Sequence, residues 1–288
     1  IFISKCSKSN ASTKTNIRLC GKTYLKAALL LGCFKNIKIE LMNTGIKTLI
    51  CSILLWLHLA CSAASAPYSA IVIEANTNQI VHYDNAETIA KTAGLTKLAA
   101  LYVALSEVEA GNISLDTMIR ISRKATEEAE PTLGLREGQR MQLRYLMRAA
   151  AVRGANDAAT ALAEGIAGSE SSFAEKMNQM AHELGLTQSS FRNAHGLTES
   201  GQYSTAKDMA KLFLALERDF KRDFHMLGET KVNAKVKTVK HSGQRLLNDY
   251  PEAVAVKTGY TRAAGYCGDL SVWTINYSRT EVKPIAEE

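Results

Sequence analysis

Lys97 stands near the start of a helical run, LTKLAALYV, three residues after Gly94. In a helix, position i−3 lies one turn below on the same face, the place from which a hydroxyl would touch a lysine amine. Such a pair performs acyl transfer. The hydroxyl attacks a carbonyl, the amine takes its proton, and fixed N–H donors hold the oxyanion. Here the position is glycine, which cannot be acylated. Two further stretches follow in order: Gly154-Ala-Asn156, sixty residues after Gly94, and Lys257-Thr258-Gly259, about a hundred later. Other hydroxyls do not obviously replace the missing one. Thr96 lies about 200° around the helix from Gly94 and points away from Lys97. Thr88 with Lys91 and Ser204 with Lys207 repeat the spacing. Such matches arise by chance in a chain rich in Ser, Thr and Lys, and Ser204 reads as part of a helix start.

The formal charge of +7 over 288 residues is unevenly spread. Residues 1–66 hold nine Lys or Arg and one acidic residue, which leaves −1 on the remainder. A basic surface for nucleic acid is therefore not expected. Met42 and Lys47, the apolar run LICSILLWLHLA and the small-residue stretch CSAASA read in order as a secretory signal peptide over 42–66. Its apolar core is too short for a good membrane span. Pro67 makes Ala64 or a nearby site as reasonable a cleavage point as Ala66. Residues 1–41 contain no methionine and read as translated upstream sequence. Of six cysteines, five (Cys6, Cys20, Cys33, Cys51, Cys61) precede residue 67, so a processed chain would hold Cys267 alone and no internal disulfide. His82, His182, His195, His225 and His241 are scattered singly, so neither a metal site nor a cofactor is expected.

From Pro67 onward the pattern is mixed α/β. YSAIVIEA, the turn residues NTNQ and IVHY read as a hairpin. Leu95–Ala110 reads as a largely buried helix closed by Gly111, and an alanine-rich helix ends near Gly168. Phe173, Met177, Met180 and Leu184 mark an amphipathic helix capped by Gly185. Thr205 and Asp208 form a capping box before MAKLFLALERD. KVNAKVKTVK alternates like one exposed strand, and AVAVKTGYT begins like a buried one.

Taken together, GLTKLAALYV, RGANDAATALAE, FRNAHGLTESGQYSTAKDMAKL and AVKTGYTRAAGY resemble a serine-type D-alanyl-D-alanine carboxypeptidase of the low-molecular-mass penicillin-binding proteins. The similarity runs from about Pro67 to Gly268. It implies a penicillin-binding-protein/β-lactamase-like fold, an antiparallel sheet flanked by helices with a helical subdomain. The carboxypeptidase-like domain would span 67–270 and a divergent tail 271–288. By that resemblance Lys97 is the base, Asn156 the asparagine of the second motif, and Lys257, Thr258 and Gly259 the strand that aligns substrate. Backbone N–H groups of Gly94 and Tyr260 would form the oxyanion hole. The resemblance also implies losses, because Gly94 and Gly154 stand where serines are expected, and Arg262-Ala-Ala-Gly265 is expected to record a further lost hydroxyl near Ala264. The chain is thus expected to be a degenerate, inactive homologue acting historically on peptidoglycan stem peptides ending in D-Ala-D-Ala. The alternatives are a non-catalytic peptide-binding protein and a hydrolase using another nucleophile. β-Lactams would bind without a covalent bond, no nucleic acid or stable membrane anchor is implied, and the product would be exported to the periplasm. Resembled proteins continue with a strand that lies between the N-terminal hairpin and the K-T-G strands. This chain's C-terminal residues do not supply it, so a gap in the sheet and marginal stability of residues 67–288 are expected.

Overall fold

The alternation after Pro67 folds into the expected hairpin. Strand β2 (Ser69–Ile73) is buried throughout, and β3 (Ile80–Asp84) is an exposed edge. The computed structural model describes residues 2–7 and 68–272, which belong to one compact unit. The assigned leader, 42–66, and most of the 1–41 and 271–288 segments lie outside the described residues. Phe2–Ser7 is described, and it is strand β1.

The main sheet is antiparallel, in the order β3-β2-β1-β9-β8, with β8 at Ala253–Thr261 and β9 at Gly265–Val272. The expected gap is therefore absent. β1 pairs with β2 from Phe2↔Ile73 to Cys6↔Ser69 and with β9 from Phe2↔Ser271 to Ser7↔Tyr266, so both inner edges find backbone partners. A second expectation also changes, since Cys267 is held in a disulfide.

Short hairpins β4/β5 (Met118–Arg120, Arg140–Gln142) and β6/β7 (Lys231–Asn233, Thr238–Lys240) stand apart from that sheet. The second pair replaces the single strand expected over 231–240. The chain reverses where Ala234 N–H donates to Lys237 O, with Lys235 at φ 67°. The two halves then face each other as Lys231↔Lys240 and Val232↔Val239.

Helix α1 (Thr96–Glu109) passes through the centre of the helical layer, burying Leu98, Ala99, Leu101, Ala104 and Leu105. Its Leu- and Ala-rich sequence has high helix propensity and is apolar on nearly every side, as a helix enclosed by others must be. Around it pack α3 (Asn156–Ala167), α4 (Glu170–Glu183) and α5 (Ala206–Asp219). α2 (Leu143–Arg148) runs on into a π-turn, Ala149–Arg153, that leads to α3. In α4, Phe173 and Met177 are fully covered, and Gly185 follows at φ +65° as the expected cap. α5 lies against β1 and β2. Its N-cap Thr205 accepts from Asp208 N–H at 3.1 Å, but the Asp208 carboxylate turns instead to Gln188 N–H and Ser189 Oγ. The capping box is therefore half formed, and its acidic member ties a neighbouring loop.

Candidate active site

Three elements that carry the sequence motifs meet: the turn into α1, the turn into α3, and β8. Ala93, Gly94 and Leu95 form a 3-10 turn that feeds α1, with no side-chain cap and no acid in the first helical turn. Ala93 has φ 45°, a left-handed conformation that costs an L-residue about 1–2 kcal/mol. Such strain collects at functional sites. The π-turn ends in Gly154 at φ 74°, after which Asn156 starts α3. π-turns inside α-helices are uncommon and cluster at functional positions.

Lys97 is buried beneath Gly94, 2 % exposed. Its Nζ donates to Asn156 Oδ1 at 2.7 Å and to the His195 carbonyl at 2.5 Å. Asn156 is occupied at both ends, because Nδ2 donates to Ala129 O at 2.6 Å. Its backbone N–H donates to Pro131 O at 2.7 Å. The asparagine thus fixes the lysine through its oxygen and commits one of its two N–H donors to the Ala129 carbonyl. Burial pushes the Lys97 amine well below the ordinary lysine range, and the like charge of Lys257 pushes the same way, against the attraction of Glu128 and Asp157. Lys257 is fully covered and is lowered to about 8 by burial, opposed by Asp269. Those two strand residues are register partners on β8 and β9.

Two glycines border the space between the lysines. A Cβ built on Gly154 would lie 3.3 Å from Lys257 Nζ. A Cβ on Gly94 would lie 2.7 Å from Thr258 O and 3.0 Å from Gly259 Cα, closer than real Cβ atoms approach backbone. On the opposite side, a Cβ on Gly259 would come within 2.2 Å of Gly94 N. β8 therefore sits against the 93–95 turn at a separation that only glycine at both positions allows. Thr258 and Gly259 are half-buried at this contact, while Tyr260 is exposed and tilts against Tyr266 with ring centroids 4.6 Å apart.

All the residues singled out from sequence, Gly94, Lys97, Gly154, Asn156, Lys257, Thr258, Gly259 and Tyr260, lie on these three elements. The other hydroxyl–lysine spacings are employed elsewhere. Ser204 shares a hydrogen bond with Ser189, Lys207 pairs with Glu87, and Lys91 Nζ donates to Glu199 O and Gln202 O. Thr96 bonds Thr92 at 3.1 Å, away from the lysine, as its angular position requires.

Sequence reasoning missed two contributors. Ser242 Oγ shares a 3.2 Å hydrogen bond with Thr258 Oγ1 and would be 3.9 Å from a Gly154 Cβ, which places an exposed hydroxyl at the mouth. His195 is not solitary. Its Nε2 lies 3.4 Å from Glu170 and 3.6 Å from Glu128, and these three residues are grouped closely enough to hold an ion. Yet Nδ1 accepts from Leu197 N–H at 3.1 Å, so the neutral ring carries its proton on Nε2. Burial holds the ring in that neutral form, with its pKa lowered to about 4. The cluster offers an N–H to two carboxylates rather than a lone pair to a metal. Glu170 is further satisfied by Lys124 at 2.7 Å, and Glu128 accepts from Thr160. Anchoring that ring aims the carbonyl that holds Lys97.

The comparisons with known proteins identify the family and the fold. The family model described as D-alanyl-D-alanine carboxypeptidase matches residues 60–273. D-alanyl-D-alanine carboxypeptidase DacF of Bacillus subtilis is 35% identical over 202 residues, 69% of this chain and 52% of its own. The crystal structure of D-alanyl-D-alanine carboxypeptidase DacD from Francisella tularensis superimposes with a TM-score of 0.65 at 25% identity, covering 69% of this chain and 63% of that one. Penicillin binding protein 6B from Escherichia coli gives 0.61 at 29%, covering 70% and 69%. The fold is that of the penicillin-binding D,D-carboxypeptidases, and this chain belongs to the D-alanyl-D-alanine carboxypeptidase family. It spans about half the length of the curated relatives that it matches.

Proposed function

We propose that this protein is a catalytically silent homologue of the serine-type D-Ala-D-Ala carboxypeptidases. One observation carries the reading. Two buried lysine amines, Lys97 and Lys257, lie at a site whose intervening positions, Gly94 and Gly154, bear no hydroxyl. Gly94 takes the nucleophile position and Gly154 the second serine position of the family's motifs. With the nucleophile gone, what remains of a hydrolase of this type is binding and oxyanion stabilisation, and the loss in rate is on the order of a millionfold. Lys97, Asn156 and Lys257 are then a remnant site, with Thr258, Gly259 and Tyr260 as its former substrate strand. The ligand class is the peptidoglycan stem peptide ending in D-Ala-D-Ala, and β-lactams would bind without acylation. An exported, periplasmic product fits the leader assigned to 42–66. No helix of the described residues is long and apolar enough to cross a membrane.

A non-catalytic binding role is favoured by a separate observation: the five-stranded sheet is complete, and Thr258 with Ser242 offers hydroxyls at the mouth. Against it stands the tight contact of β8 with Gly94. Titration calorimetry of the full chain with a peptide ending in D-Ala-D-Ala decides between them. The silent-remnant reading expects no saturable heat, and saturable heat establishes the binding role. Turnover of that peptide, lost on Ser242→Ala, would overturn both.

A further inference from the structure

We propose that the outward face of the β6/β7 hairpin is a docking surface for a flexible, phosphate-bearing polyanion, gripped by Lys231 and Lys240 at its base and by Lys235 and Lys237 at its tip. Composition is the first observation. Residues 231–240 hold four lysines and no acidic residue, whereas the chain from residue 67 onward sums to −1. The ribbon is thus a local excess of positive charge on a nearly neutral body, and such an excess attracts anions.

Register carries the argument further. Val232 and Val239 face each other and are buried, as is Ala234. Side chains alternate along a strand, so Lys231, Asn233, Thr238 and Lys240 stand on the opposite face, and all four are exposed. Lys231 and Lys240 are register partners, which puts like charges directly opposite each other. Such a rung destabilises a ladder. Among the described residues, none of the four lysines has an ion pair or an amine hydrogen bond to offset it. The carboxylate nearest in effect, Glu130, accepts from Thr132 N–H and Oγ1 and feels Arg153 as well as Lys237. An anion that bridges the rung removes the repulsion.

The spacing fits a chain of anions. The Lys231/Lys240 rung and the tip lysines are at most about 13 Å apart, four residues of strand. Between them lie Thr238 Oγ1 and the Asn233 amide, whose oxygen accepts from Lys235 N–H at 2.8 Å and whose nitrogen can donate outward. Every polar group on this face can donate, and ammonium groups hold phosphate as point charges. The tip offers one exposed valine, Val236, and no aromatic residue, too little apolar area to enter a bilayer, so a polymer is favoured over a membrane. The hairpin packs on the π-turn before Gly154, and Ser242 N–H, two residues past β7, donates to Val152 O at 2.8 Å. A bound polymer would therefore run beside the candidate site, whether or not that site is silent.

The test is calorimetric titration of the full chain with linear inorganic polyphosphate between about 50 and 200 mM salt. Four charges on a flexible polyanion give a log–log slope of about −3, a loss of roughly sixtyfold in affinity over that range. Lys231→Gln/Lys240→Gln is expected to halve the slope, while its melting temperature holds or rises because the repulsive rung is gone. Lys235→Gln/Lys237→Gln, at the tip, is expected to halve the slope as well and keeps the test decisive should the first variant fold poorly. No binding at low salt, or an unchanged slope in the folded variants, overturns the proposal. Equally tight binding of poly-L-glutamate overturns the assignment to phosphate. Capture by phosphatidylglycerol vesicles without binding of polyphosphate overturns it in favour of a membrane surface.

Discussion

At the scale of single residues, the site is governed by two amines whose proton affinity burial lowers. For Lys257 the sign follows directly. Its folded pKa, about 8, lies below the ordinary 10.5, so between those values the unfolded chain binds more protons than the native one. Stability from this group therefore rises as pH increases from about 8 toward 10.5, by on the order of 3 kcal/mol, and is missing below pH 8. Denaturant melts of the native chain and Lys257→Met across that range should differ by this slope, with the methionine variant flatter. An equal slope in both would show that Lys257 keeps its ordinary proton affinity. Lys97, Lys257 and Gly94 were singled out by the order of three short motifs and by the family resemblance those motifs carry. The double occupancy of the Asn156 amide and the His195 carbonyl above Lys97 were not, because a backbone acceptor has no residue type to betray it.

At the scale of elements, one carboxylate holds the loop before the site. Asp157, in the first turn of α3, is buried and accepts from the N–H groups of Leu133, Gly134, Leu135 and Ala158. Leaving those donors unpaired costs about 2–3 kcal/mol. Asp157→Ala is expected to lower the melting temperature by roughly 5–10 °C, since a domain of this size loses a few degrees per kcal/mol. A change under one degree in a thermal melt would mean that water replaces the carboxylate without loss. The helices were legible because their apolar period and caps are local: Phe173 and Met177 with Gly185, Thr205 with Asp208. The stretch 231–240 misled because alternation specifies which face a residue takes, not where a strand ends. The reversal at Ala234–Lys237 breaks it in two without glycine or proline to announce the turn.

At the scale of the whole molecule, the main sheet is continuous across its five described strands. The C-terminal sequence alone pointed to a gap, because the strand that fills it comes from the opposite end of the chain and no local pattern links Phe2–Ser7 to β2 and β9. The marginal stability expected for residues 67–288 applies to a chain deprived of β1. With the scaffold whole, the silence proposed for this site would have to come from the site itself, from glycine at 94 and 154. Placing serine at both positions is not free: Gly94→Ser puts a Cβ 2.7 Å from Thr258 O and so forces β8 to shift, and Gly154→Ser puts a side chain at φ +74°. The double variant should be less stable by about 1–3 kcal/mol while regaining the missing hydroxyls. The most direct test is the intact mass of the full chain after incubation with a penicillin, beside that of Gly94→Ser/Gly154→Ser. The expected result is no covalent adduct on the native chain and an acyl adduct on the double variant. An adduct on the native chain would contradict the account, because another nucleophile would then be doing the chemistry that Gly94 cannot.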